Sequence, residues 1–203
     1  MPGARTRREL LVAGARAGAG ATAAALIAAG PARAAAAVPA PELEATRLER
    51  LLSVELLMLF CYTNVLDASV LTPHAKAVLT PLRAQEEAHI RALRARLAVF
   101  GERGPQAPDS VAAADRDLAR RSVKGRLGQL QGSHDALHLL LALERVVVGA
   151  YFVALTKLPD PPLITLSAQI MAADAQHGAI IGELLYPGNA QNAVPSGLVQ
   201  GAQ

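Results

Sequence analysis

Glu86 and His89 stand three residues apart in Gln85-Glu86-Glu87-Ala88-His89, and Asp174 and His177 repeat the plan in Ala173-Asp174-Ala175-Gln176-His177. An acid and a histidine at that spacing on a helix share one face, one turn apart. If the face points inward, a carboxylate and an imidazole meet in a core. Isolated, such groups are costly to bury, so they need a metal ion or tight pairing.

The elements that would carry these pairs are helical. Leu48, Leu51, Leu52, Glu55, Leu59, Tyr62 and Leu66 recur at steps of three and four, which predicts a helix over 42–67 with Glu55 on or beside its apolar stripe. Thr72-Pro73 is a cap followed by proline in the first turn, and opens a helix to about Phe100. Pro81 lies inside it and should bend it before Glu86. Residues 101–109 read as loop, Asp109-Ser110 as the cap of a short helix to Arg121, and Gly125, Gly128 and Gly132 as irregular backbone. A third long helix runs from Ser133 to Lys157, and a fourth opens at Asp160-Pro161 and ends near Tyr186 before Pro187-Gly188. The expectation is two antiparallel helical hairpins joined by a long crossover, an all-α four-helix bundle.

The hairpins resemble each other. Glu55, Tyr62, Leu51, Leu52 and Leu66 match Glu144, Tyr151, Leu140, Leu141 and Leu155 at an offset of 89. Thr72-Pro73, Glu86 and His89 match Asp160-Pro161, Asp174 and His177 at 88. Counted from the hairpin connections, the four acids are twelve to fourteen residues along their helices. At about 1.5 Å per residue they reach one level of the bundle.

This constellation resembles the ferritin-like di-metal carboxylate family, in which two helices each give a Glu and two others each give Glu-x-x-His. The resemblance covers residues 42–186 and assigns the single glutamates to Glu55 and Glu144, and the paired ligands to Glu86 with His89 and Asp174 with His177. Asp174 departs from the usual Glu and is one methylene shorter, so it would bind one ion instead of bridging two, or weaken its side of the site. Tyr62 and Tyr151 lie two turns from Glu55 and Glu144 on the same stripes. They could donate to the carboxylates; core tyrosines bonding locally are the alternative. His134 and His138, four apart, lack a third ligand and read as polar-face or cap residues; His74 reads as a first-turn surface residue.

Carboxylate and imidazole donors suit iron or manganese. The expected cofactor is two iron ions, with manganese or a mixed pair as the alternative, and dioxygen or peroxide as the small-molecule partner in ferroxidase or oxidase chemistry. A metal-binding or envelope stress protein without turnover, similar to the exported desiccation-related branch, is the second reading. A metal-free structural bundle is the third. Association of like chains is compatible with the sequence, which carries no evidence of a storage shell.

Residues 1–36 read as an export segment. Thr6-Arg7-Arg8-Glu9-Leu10-Leu11 resembles a twin-arginine signal, Val12–Ala29 is Ala/Gly-rich, and Ala32-Arg33-Ala34 and Ala34-Ala35-Ala36 are cleavage candidates. An uncleaved membrane anchor is the alternative, disfavoured by Arg16 and weak hydrophobicity. Residues 37–41 form a linker, and 187–203 a loose tail. The formal charge of +3 comes from Arg5, Arg7, Arg8, Arg16 and Arg33 set against Glu9; the rest has 15 basic and 16 acidic residues, so the charge does not point to nucleic acid. Arg116, Arg120, Arg121, Lys124 and Arg126 read as a solvated face. Three Phe, three Tyr and no Trp favour helix over sheet. The single Cys61 excludes an internal disulfide and reads as a small buried side chain.

Overall fold

The computed structural model describes residues 41–189, which form helices and no strand. The export segment and most of the expected tail, from residue 190, lie outside the described residues. Four long helices follow the expected pattern: α1 (Pro41–Asp67), α2 (Pro73–Val99), α4 (Ser133–Leu155) and α5 (Pro161–Leu185), with the short α3 (Val111–Arg120) in the crossover. One turn of 3-10 helix, Leu127–Gln129, interrupts the stretch expected to be irregular throughout.

Local chemistry sets the helix ends. Thr72 Oγ1 accepts from Ala75 N at 3.2 Å, and Ser110 Oγ accepts from Ala113 N at 3.2 Å. Each satisfies an N–H that has no partner within the helix. Asp160 stands in the matching place before α5 but makes no cap bond; its carboxylate pairs instead with Arg96 of α2. Proline at the start of α5 tolerates this, since its missing N–H needs no partner. Pro81 sits inside α2 without ending it.

Helix α1 packs against α2, α4 and the crossover, while α5 packs against α4 and touches α2. Being surrounded explains why Leu56, Leu57 and Met58 are buried in succession along α1. Leu48, Leu52, Leu79, Leu93, Leu139 and Leu140 fill the space between helices; each such burial stabilises by about 1.5–3 kcal/mol. Cys61 is buried among them, and burial pushes its thiol up to about 12. The crossover passes close to the core at Gly104, where φ is +70° and an added Cβ would lie 2.8 Å from Leu52 Cδ2. No other residue fits there without displacing that leucine.

Helix α4 is long and apolar enough to cross a membrane by composition alone, yet half of its most apolar window is buried inside the bundle. A helix apolar on most sides is what the core of a soluble bundle also requires.

Candidate metal centre

The fold brings all six acid and histidine residues to one place. Glu55, Glu86, Glu144 and Asp174 are 0–1 % exposed, with His177 at 1 % and His89 at 9 %. They form two overlapping groups: Glu55, Glu86, His89 and Asp174, and Glu86, Glu144, Asp174 and His177, with ligand atoms in each within 4.8 Å of one another. Glu86 and Asp174 belong to both. His89 Nδ1 lies 3.4 Å from Glu86 Oε2, 3.3 Å from Asp174 Oδ1 and 3.7 Å from Glu55 Oε2. His177 Nδ1 lies 2.8 Å from Glu86 Oε1, 3.5 Å from Glu144 Oε1 and 4.0 Å from Asp174 Oδ1. The shorter Asp174 therefore lies within reach of both histidines, nearer to His89 than to His177.

These close contacts lack the alignment of a hydrogen bond. Glu55 Oε2, both oxygens of Glu86 and of Asp174, Glu144 Oε2, and Nδ1 of both histidines are buried without a hydrogen-bond partner. Buried polar groups are nearly always satisfied, so eight orphaned atoms in one spot call for a ligand. Oxygen and imidazole nitrogen donors converging from four helices fit divalent cations of the iron and manganese type. Each four-residue group is large enough to surround one ion.

The electrostatics agree. Burial pushes Glu55 up to about 8 and Glu144 up to about 7. Burial, then the charges of Glu55, Glu86 and Glu144, push Asp174 up to about 11. Burial also acts to raise Glu86, but the two imidazoles overcome it and hold Glu86 at about 2. Burial would lower the histidines, yet their carboxylate neighbours raise both to about 9. Four carboxylates cannot all be charged in so small a space without cations.

Two tyrosines complete the cluster. Tyr62 Oη donates to Glu144 Oε1 at 2.6 Å, and Tyr151 Oη donates to Glu55 Oε1 at 2.6 Å. Both are fully buried, and burial pushes their hydroxyls well above the usual range, so they remain protonated donors. Each serves the glutamate of the opposite hairpin. Going forward from Glu55 to Tyr62 on α1 means going back from Tyr151 to Glu144 on α4, so the two helices run antiparallel.

Gln85 escaped the sequence reading. Its Oε1 lies 2.8 Å from His177 Nε2. An amide oxygen can only accept, so Nε2 donates to it and the ring is turned with Nδ1 towards the carboxylates. The bonded residues are 92 positions apart, and the repeat has Ala173 where Gln85 would recur. No spacing rule could have found it.

The remaining singled-out residues lie elsewhere. His74 is exposed, as expected. His134 is exposed and His138 half-buried, near the start of α4. The basic cluster divides: Arg116, Arg120, Lys124 and Arg126 are exposed, but Arg121 is half-buried and donates to Ser53 Oγ at 2.9 Å. Arg120 and Arg121, with Arg47, Arg50 and Lys157, line a surface cleft of about 900 Å³ that includes none of the six cluster residues.

A family model described as a ferritin-like domain matches residues 43–187. No curated protein and no solved structure matches the chain. The match spans all four long helices and every residue of the buried cluster. This chain belongs to the ferritin-like domain family.

Proposed function

We propose that the chain holds two iron or manganese ions between its four long helices and uses them in ferroxidase or oxidase chemistry. Glu55, Glu86, His89 and Asp174 would hold one ion, and Glu86, Glu144, Asp174 and His177 the other, Glu86 and Asp174 being shared. The observation that carries this reading is the set of orphaned oxygens and Nδ1 atoms converging inside the bundle. When bound, such a pair of ions supplies one-electron redox chemistry towards dioxygen or peroxide.

The chain's own residues do the rest. Tyr62 and Tyr151 fix the orientation of Glu144 and Glu55 and keep a proton at one oxygen of each. Gln85 fixes the tautomer of His177. His89, with its side chain 11 % exposed, is the cluster's edge towards solvent, whereas the His177 side chain is 2 % exposed. Ions and small oxidants would enter on the His89 side. Aerobic iron(II) oxidation by the full chain, compared with Glu86→Ala, tests the reaction. Loss of turnover in the variant supports it, and equal rates in both contradict it.

A second reading, a metal-binding envelope protein without turnover, draws on the seal around the cluster. Metal that binds without dioxygen consumption identifies it. In either case residues 1–36 direct export by a twin-arginine route, and replacing Arg7 and Arg8 with Lys would leave the protein in the cytoplasm.

A further inference from the structure

His134 and His138 lie one turn apart at the start of α4, outside the buried cluster. Their Nε2 atoms approach to 3.2 Å, with the rings edge to face. Two imidazole nitrogens, each about 2.1 Å from one zinc-like ion, lie roughly 3.0–3.4 Å apart for right-angled to tetrahedral geometry. The observed separation falls inside that interval. Tyr186 Oη, from the residue that ends α5, lies 3.4 Å from the same His138 nitrogen. Asp135 Oδ1, 4.0 Å from His134 Nδ1, places a negative charge beside the pair.

We propose that His134 and His138 form a surface chelate for a borderline divalent ion such as zinc or copper(II), at the seam between the start of α4 and Tyr186. Two imidazoles and water make a softer donor set than the interior carboxylates. It ranks copper(II) and zinc above iron(II) and manganese, which are the ions suited to the interior. His134, Arg145 and Asp135 are the charged groups that act on His138, and neither histidine belongs to the interior groups, so the chelate does not depend on the interior reading.

Equilibrium dialysis of the full chain against zinc chloride tests the proposal. Wild type should bind one zinc per chain more than His134→Gln or His138→Gln. Each variant should weaken that ion by on the order of a hundredfold, the advantage of two linked donors over one. The Glu86→Ala chain should keep it. Zinc should raise the thermal transition by a smaller amount in the two histidine variants than in wild type. Equal zinc stoichiometry and affinity in wild type and both variants would overturn the proposal, leaving the pair as a simple hydrogen bond. An unchanged helical circular-dichroism spectrum and cooperative melting without metal verify that the variants remain folded.

Discussion

Tyr62 on α1 donates its hydroxyl to Glu144 on α4 at 2.6 Å, a bond between residues 82 positions apart. Its repeat counterpart, Tyr151 to Glu55, closes the other half at the same length. These two bonds join the hairpins at the level of the buried acids. Tyr62→Phe keeps the ring but strands Glu144 Oε1, and should cost about 1–3 kcal/mol of stability. Chemical denaturation of the metal-free chain checks this. Tyr151→Phe should cost a similar amount, and a loss near zero in both would show that the hydroxyls are incidental.

Gln85 is exposed as a residue while its amide oxygen meets His177. Gln85→Leu should therefore leave the fold intact yet free the imidazole to turn and change tautomer. Metal affinity should fall by about 10–100-fold, and Gln85→Glu, which keeps an acceptor, should restore most of it. Calorimetric titration with manganese distinguishes these outcomes. Equal affinity for all three chains would remove Gln85 from the site.

The raised carboxyls set the pH dependence. Asp174, Glu55 and Glu144 have folded values of about 11, 8 and 7, above their ordinary 3.8, 4.5 and 4.5. Such groups favour the folded state while protonated, and that contribution declines as pH rises from the ordinary value through the folded one. Both histidines, raised from 6.5 to about 9, add stability that is full below 6.5 and lost through 9. Glu86 opposes them, its contribution being lost only as pH falls towards about 2. The metal-free chain should lose thermal stability between pH about 5 and about 9. Ions must displace those protons, so metal affinity should increase over the same window. Melting curves with chelator and with manganese across this range check both signs.

The helices, their order and the six cluster residues were legible because burial on helices leaves a period of three to four, and duplication repeated the acids in register. The bonds between hairpins were not. Tyr62 and Tyr151 stood on the right stripes, but which glutamate each meets depends on the antiparallel pairing of α1 with α4. Asp174 is one methylene shorter than the usual glutamate, and residue type alone does not reveal that its Oδ1 lies 3.3 Å from His89 Nδ1 and 4.0 Å from His177 Nδ1. Arg121 left the solvated cluster because α3 carries it to Ser53 on α1.

Elemental analysis of the full chain, purified without chelator from cells supplied with iron and manganese, tests the buried centre most directly. The expected content is about two ions of iron or manganese per chain, falling below one in Glu86→Ala, since Glu86 faces both histidines. Wild-type protein free of both metals, or a Glu86→Ala chain carrying as much as wild type, would contradict a metal centre built on these six side chains.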